Sequence, residues 1–274
     1  MSARVPLREA FGRALRILIP ALAIVIGLGM FLPAVALDGP VARGAVWVAD
    51  SGSAAVVPWV ALILLAIVVT RPGLPLRTRG LEAVVLLGLL LLALGGMSWA
   101  NEHLIKPAMA IPRPNIVELA DQGVLGLSPD EFYALGDKPD RSAYLAERLA
   151  EPSAPPLAAE VREHWLVETG YSFPSGHSLA AMTFSAFFLT LALSYLDRRR
   201  RRLVFLILPI WALAVIASRP LLRVHSALDI GVGACEGVVI GLLSVMLARW
   251  LIERATATNE DHSPVGGASS GSVR

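Results

Sequence analysis

Three short stretches of the sequence combine cationic, imidazole and carboxylate side chains at spacings that could support chemistry. The stretches are Lys106 with Arg113-Pro114, Pro174-Ser175-Gly176-His177, and Ser218-Arg219 with His225 and Asp229. The cations carry many N–H donors, and the arginine guanidinium matches a phosphate group with a planar fork of donors. These residue types therefore indicate a site that binds a phosphoryl group.

The two histidines and the aspartate could transfer the phosphoryl group that the cations bind. His225 and Asp229 are four residues apart, so they share one face if a helix begins there. The carboxylate can then bind one imidazole nitrogen and leave the other free to attack. His177 is a second group that titrates near neutral pH, as general acid–base catalysis requires. This combination favours phosphoryl transfer through a phosphohistidine.

The residues just before the apolar segment that starts near position 179 could form a second anion site. If a helix begins at Ser175 and Gly176, its N-terminal N–H groups would face the phosphoryl oxygens. Each motif residue taken alone also has a structural explanation. The Lys106 ammonium could simply lie at the membrane interface, as lysines at helix ends do. Arg113-Pro114 could belong to an ordinary loop, and Ser175 could serve only as a helix cap. The combination at these spacings favours the site.

The elements that must position these residues are transmembrane helices. Of the 274 residues, 55% are hydrophobic and 17% are charged, whereas soluble domains contain about 25% charged residues. This composition argues against a purely soluble or a disordered protein, and the single Cys235 excludes a disulfide scaffold. We predict an all-α integral membrane bundle of six transmembrane helices. The apolar blocks that form them are 17–37, 54–70, 81–100, 179–196, 203–217 and 228–251.

Arginine clusters predict that both termini are cytoplasmic. Arginine is frequent in the N-terminal segment, in the loop after the second block and in the loop at 198–202. Short cytoplasmic loops of membrane proteins are typically rich in arginine and lysine. All three chemical stretches then lie at the outer, periplasmic face of the lipid bilayer. The formal net charge of +2 is too small to indicate a nucleic-acid partner. The pattern predicts no particular oligomeric state.

The chain divides into four predicted regions. Residues 1–105 hold helices 1 to 3, and 106–175 form a periplasmic insert, helical in pieces, with the first two motifs. Residues 176–252 hold helices 4 to 6 with the third motif, and 253–274 form a disordered cytoplasmic tail. In the insert, helix starts are expected at Ser128 and Asp140, and a third helix over 157–168.

The three stretches match the motifs K-x6-RP, PSGH and SR-x5-H-x3-D without a gap or a substitution. On these motifs the sequence resembles the membrane branch of the type 2 phosphatidic acid phosphatase superfamily. The resemblance implies that His225 is the nucleophile, that Asp229 orients it, and that His177 is the general acid and then the base. It implies no metal and no other cofactor. The residues implied to hold the phosphoryl oxygens are Lys106, Arg113, Ser175, Gly176 and Arg219.

The insert resembles one bacterial branch of that family, the phosphatidylglycerophosphatases. This closer resemblance rests on 130–133, on His164-Trp165 and on Glu168-Thr169-Gly170, together with the order of six helices. It implies a bacterial inner-membrane enzyme whose lipid phosphate substrate is phosphatidylglycerophosphate. Undecaprenyl diphosphate, phosphatidic acid and diacylglycerol diphosphate are further plausible substrates.

Two alternative functions stay open at this point. One is a dedicated undecaprenyl-diphosphate phosphatase that recycles the cell-wall carrier, and the other is a transporter or flippase of phosphate lipids without hydrolysis. Outside the motifs, we expect His103 and His164 to be structural. Glu236 is charged within a predicted span, which makes it equally a functional and a structural candidate.

Overall fold

The computed structural model of the protein describes residues 5–196 and 199–261. All regular elements in these two ranges are helices, so the predicted all-α class is confirmed for them. Five helices are long and apolar enough to cross a membrane: Leu7–Phe31, Leu76–Asp121, Gly176–Tyr195, Arg202–Leu221 and Ala227–Ala257. Five of the six predicted spans therefore correspond to helices of membrane-crossing length.

The α-helices differ widely in length, and the short ones lie outside the five long apolar runs or interrupt them. In chain order they are α1 (Leu7–Phe31), α2 (Pro40–Ser51), α3 (Val57–Val69), α4 (Leu76–Leu91), α5 (Met97–Ala100), α6 (Lys106–Met109), α7 (Pro114–Asp121), α8 (Pro129–Tyr133), α9 (Lys138–Arg148), α10 (Ala159–Val167), α11 (Gly176–Tyr195), α12 (Arg199–Leu221) and α13 (Ala227–Asp261).

The centre of the bundle is α11. It packs against α13, α12 and α1, and nearly all of its residues are buried. A helix that is apolar on all sides is stable only when neighbours surround it, and the phenylalanines of α11 pack against α12 through Trp211 and Phe205. The N-terminus of α11 is the PSGH motif, so the most buried helix of the described chain is also the one that presents this motif.

The second predicted span, 54–70, is not one helix of membrane-crossing length. It contains α3, whose 13 residues extend about 20 Å, against about 30 Å of hydrocarbon. The preceding α2 reaches into the bundle, where Trp211 Nε1 donates to Ser51 Oγ at 3.0 Å. Because Trp211 lies near the middle of α12, the chain enters the bundle as α2 and continues as α3 after a turn.

The second of the five long apolar runs, Leu76–Asp121, is irregular close to the first motif. Two π-helical turns, Leu92–Gly96 and Asn101–Ile105, interrupt it before α6. After α6, Ala110 adopts a left-handed conformation with φ of 48°, and α7 begins at Pro114. Lys106 and Arg113 thus lie on either side of a break in the helix, so their positions in the site are not fixed by helical spacing alone.

The insert forms a separate hydrophobic cluster together with α2. Val46, Phe132, Leu145 and Trp165 are among its buried members. Ser128 caps α8 in a capping box with Glu131, as predicted. The next helix starts earlier than predicted, because the N-cap of α9 is Asp137 and Asp140 completes its capping box. This cluster fixes the short insert helices over one end of the bundle.

The predicted start of a disordered tail at position 253 is wrong. Helix α13 continues through Asp261, and side-chain contacts stabilise it where the tail was expected to begin. Arg249 pairs with Glu253 one turn later, and the Arg254 guanidinium lies 4.2 Å from the centre of the Trp250 ring. Residues 262–274 of the predicted tail lie outside the described residues, as do 197–198 at the predicted arginine loop.

Candidate active site

Two motifs meet where the N-termini of α11 and α13 pack together. The Ser175 backbone N–H donates to the Asp229 carbonyl oxygen at 3.0 Å. Further along α13, a Cβ at Gly233 would lie 2.5 Å from the Ser175 carbonyl oxygen, and one at Gly237 would lie 2.4 Å from that of Leu179. Since real side chains do not approach this closely, only glycine permits the two backbones to be in contact. The glycine spacing of α13 therefore holds the two motifs together.

Ser175 is the N-cap of α11. Its Oγ accepts hydrogen bonds from the Ser178 N–H at 3.4 Å and from Ser178 Oγ at 3.0 Å. Gly176 is the first residue of the helix and is half-buried. The free N–H groups of this helix start remain a candidate anion site, while the Ser175 side chain itself has the capping contacts of a structural residue.

The pair His225 and Asp229 forms as the four-residue spacing predicts. His225 precedes α13, and its Nδ1 lies 3.5 Å from Asp229 Oδ2; both side chains are buried. Asp229 Oδ2 also accepts from the Ser226 N–H at 2.7 Å, while Ser226 Oγ accepts from the Asp229 N–H at 3.3 Å. These two bonds cap α13, so the same geometry that starts the helix aims the carboxylate at the imidazole.

Arg113 contacts the other nitrogen of the His225 ring. Its Nη1 lies 3.1 Å from His225 Nε2. A guanidinium has only donors, so Nε2 must be the acceptor and the ring proton must be on Nδ1, facing Asp229. Burial and the nearby charge of Arg113 lower the pKa of His225 to about 3. The imidazole is therefore neutral near pH 7, and the electron pair of Nε2 accepts from Arg113.

Three further contacts immobilise Arg113. Its Nε donates to the Gly170 carbonyl oxygen at 2.8 Å, its Nη1 to the Val224 carbonyl oxygen at 3.0 Å, and its backbone N–H to the Tyr133 hydroxyl at 3.1 Å. The insert thus positions Arg113 on one side and the segment before α13 positions it on the other. Burial is the main reason that the pKa of Tyr133 is raised, which keeps its hydroxyl protonated.

Glu168, which the motifs do not include, links Arg113, Arg219 and His177. Its Oε2 lies 2.6 Å from Arg113 Nη2, and its Oε1 accepts a short hydrogen bond from Arg219 Nη2. The same Oε1 lies 3.8 Å from His177 Nδ1. Burial would raise the pKa of Glu168, but the charges of Arg113 and Arg219 together outweigh it and hold this pKa well below the usual value. The carboxylate is therefore ionised.

His164, expected to be structural, belongs to the same cluster. Its Nε2 lies 3.0 Å from Arg219 Nη1 and must accept from it. Burial, reinforced by the charge of Arg219, lowers the pKa of His164 to about 4. Before the structure, only the likeness of 164–170 to one bacterial branch marked His164 and Glu168. The spacing patterns could not have found them, because the insert folds back over the bundle to place them there.

Lys106 is buried and has its own internal carboxylate. Its Nζ lies 2.9 Å from Glu102 Oε2, one helical turn earlier, and Lys138 of α9 pairs with the other oxygen of Glu102. Gly170 connects this group to Arg113: a Cβ at Gly170 would lie 3.2 Å from Glu102 Oε1, and its carbonyl accepts from Arg113. The structure therefore places Lys106 of the first motif close to the residues of the second and third motifs.

The remaining titratable candidates lie apart from this cluster. The exposed His103 stacks on Trp99 with a ring-centre distance of 5.3 Å. Glu236 is half-buried, and its Oε2 has no hydrogen-bond partner among the described residues. Cys235 is exposed. Within 5–196 and 199–261, no group of three or more His, Cys, Asp or Glu side chains is arranged to hold a metal ion.

The chain belongs to the PAP2 superfamily, whose sequence model matches residues 82–253. The matched region covers all three motifs and ends within α13. It leaves out α1 to α3, so the family is defined by the part of the chain that carries the site.

Among curated relatives, the chain is 36% identical over 183 residues to the phosphatidylglycerophosphatase B of Escherichia coli strain K12, an alignment that covers 65% of each chain. It is equally similar to the protein of that name from Shigella flexneri. It is 34% identical over 148 residues to the one from Haemophilus influenzae, which covers 52% of each chain. The alignments thus span less than two thirds of the length of these relatives.

Proposed function

We propose that the protein is a membrane lipid phosphatase that removes the phosphate of phosphatidylglycerophosphate at the periplasmic face of a bacterial inner membrane. Undecaprenyl diphosphate, phosphatidic acid and diacylglycerol diphosphate are further substrates in this proposal. Family membership, five helices of membrane-crossing length and the names of the relatives support it. The observation that carries it is the neutral His225, whose Nε2 electron pair faces Arg113 while Asp229 faces Nδ1.

The proposed reaction has two steps on this geometry. His225 Nε2 attacks the phosphorus, the bond from phosphorus to the lipid oxygen breaks, and His177 gives its proton to the leaving oxygen. Asp229 stabilises the imidazolium that forms as the Nδ1 proton is retained. His177 then takes a proton from water, which attacks the phosphohistidine and releases inorganic phosphate and the free His225.

The phosphoryl oxygens would be held by fixed cations in this proposal. Arg113 contacts the attacking nitrogen, Arg219 is joined to Arg113 through Glu168, and Lys106 and the Gly176 N–H at the start of α11 complete the proposed set of donors. Such preorganised donors stabilise the charge that develops in the transition state. Because these groups supply the positive charge, we propose that turnover needs no metal ion.

The test is phosphate release by the purified, detergent-solubilised protein in excess chelator. Phosphatidylglycerophosphate and undecaprenyl diphosphate are supplied side by side at equal surface concentration. The wild type is expected to release phosphate, and His225→Ala is expected to release none above background. His103→Ala is the matched control, since it removes an imidazole that the structure places outside the cluster, and it should keep wild-type activity.

Each outcome distinguishes the proposal from its alternatives. Release that survives in His225→Ala contradicts the histidine mechanism, and release abolished by chelator contradicts metal independence. A strong preference for undecaprenyl diphosphate identifies a dedicated phosphatase of the cell-wall carrier. Binding of both lipids without any release identifies a protein that moves phosphate lipids without hydrolysis.

A further inference from the structure

We propose that the Glu168 carboxylate occupies the phosphoryl pocket of the substrate-free enzyme and must be displaced by the incoming phosphate. The inference rests on the proposed function for the identity of the pocket. Glu168 is then an internal competitor that determines which anions the site accepts, in addition to any role in positioning the arginines.

The contacts of Glu168 are those that a bound phosphoryl group would need. One oxygen contacts Arg113 Nη2 at 2.6 Å, and the other accepts from Arg219 Nη2 and lies 3.8 Å from His177 Nδ1. These are three of the side chains that the motifs assign to phosphate binding and proton transfer. The N–H groups of Arg113 Nη2 and Arg219 Nη2 that contact Glu168 cannot donate to a phosphate at the same time, so a phosphate that binds in this position must displace the carboxylate. The buried Nε–H of Arg219 has no partner among the described residues and is a further donor for the phosphate.

The charges around the pocket support the same inference. The motif cations are Lys106, Arg113 and Arg219, and three carboxylates contact motif residues: Glu102 on Lys106, Glu168 on both arginines, and Asp229 on His225. Lys138 shares Glu102 with Lys106, so four cations face three carboxylates and most of the positive charge of the substrate-free site is compensated. A doubly charged phosphate gains the full attraction of the two arginines only when Glu168 withdraws from them.

Glu168 is the carboxylate whose position allows such a withdrawal. Asp229 is held by the cap of α13, and Glu102 is shared between Lys106 and Lys138. Glu168 instead follows the last turn of α10, in a stretch without regular structure that leads to the PSGH motif. Its side chain is 15% exposed, so it lies at the edge of the pocket.

The experiment measures anion binding, so that its outcome does not depend on turnover. Tungstate, a tetrahedral dianion, is titrated into the detergent-solubilised full chain by calorimetry at pH 7.5. Glu168→Gln keeps the shape of the side chain and removes its charge. We expect it to bind tungstate about tenfold more tightly or better, since the substitution removes a negative charge that faces the anion. Glu118→Gln is the matched control, because Glu118 pairs with Arg223 outside the pocket, and its tungstate affinity should equal that of the wild type.

Unchanged or weaker tungstate binding in Glu168→Gln overturns the proposal and leaves Glu168 as a support for the two arginines. If the loss of a buried charge prevents that variant from folding, Glu168→Asp is the alternative test. The aspartate side chain keeps the charge but is too short to contact both arginines, so tungstate should bind more tightly than to the wild type. Unchanged or weaker binding to Glu168→Asp also overturns the proposal. Tighter binding in a protein without phosphatase activity would retain the competitor role while rejecting the proposed function.

Discussion

At the scale of single residues, the site depends on the protonation of one imidazole. Arg113 requires an acceptor at His225 Nε2, and Asp229 lies on the Nδ1 side. Together they place the ring proton on Nδ1 and the electron pair on Nε2, the nitrogen that attacks phosphorus in the proposed mechanism. The residue types and the four-residue spacing predicted the pair of His225 and Asp229. They could not predict the contact from Arg113, because it joins positions 112 residues apart.

Replacing Asp229 with asparagine should preserve the fold and remove most of the activity. The amide can donate to Nδ1, which would move the imidazole proton to Nε2 and abolish the nucleophile. By analogy with carboxylate–histidine pairs in which this change was made, kcat should fall on the order of 10⁴-fold. Steady-state kinetics of Asp229→Asn, with a melting curve to verify folding, provide the measurement. Activity near that of the wild type would show that Asp229 does not orient His225.

At the scale of secondary-structure elements, the site is assembled by the close packing of α11 against α13. The face of α13 that contacts α11 is lined by Gly233, Gly237 and Gly241. A Cβ added at any of the three would lie 2.7 Å or less from a backbone oxygen of α11 or of its N-cap residue. Small residues at spacings of four are typical of closely packed membrane helices. The packing partner of this glycine face, however, was visible only in the structure.

Adding one methyl group to this face should destabilise the protein, although alanine normally favours a helix. In Gly237→Ala, the new Cβ would lie 2.4 Å from the Leu179 carbonyl oxygen and 2.9 Å from Met182 Cβ, and overpacking of this kind costs roughly 1–3 kcal/mol. The expected result is a lower melting temperature in detergent, with reduced activity because the Ser175–Asp229 contact loosens.

Gly231→Ala is the control for this prediction. It lies on the same helix, and nothing is within 4 Å of its added Cβ. Its melting temperature should stay equal or rise, since alanine is better than glycine in a helix by about 1 kcal/mol. Equal effects of the two substitutions would contradict the role of the glycine face.

At the scale of the whole molecule, the insert and the site lie at one end of the bundle. Helices α11 and α13 begin there, α12 ends there at Leu221 and presents Arg219 in its last turn, and α6 reaches it with Lys106. At the opposite end, the Val5 N–H donates to the Ser194 carbonyl oxygen at 3.3 Å, and Arg249 donates to the Val5 carbonyl oxygen at 3.1 Å. The polarity of the bundle is therefore defined, and the arginine distribution predicts which end is cytoplasmic.

Labelling of single cysteines in intact cells tests this orientation. In a Cys235→Ser background, Ser153→Cys places an exposed thiol in the insert, and Gly80→Cys places one near the start of α4, at the opposite end of the bundle. A thiol reagent that cannot cross the inner membrane should modify Ser153→Cys and leave Gly80→Cys unmodified until the cells are opened. The reverse pattern would place the site on the cytoplasmic side.

The sequence by itself determined the helical membrane class and the identity of the motif residues, because apolar length and local spacing are properties of adjacent positions. His225 and Asp229 pair through one turn of chain, and Ser128 caps its helix through three residues. Only the tertiary structure showed that Glu168 lies among the motif cations, that the second predicted span holds only the short α3, with α2 packed in the bundle before it, and that glycines of α13 join two motifs. These features depend on contacts between distant parts of the chain, and such contacts are set by packing, which no local pattern encodes.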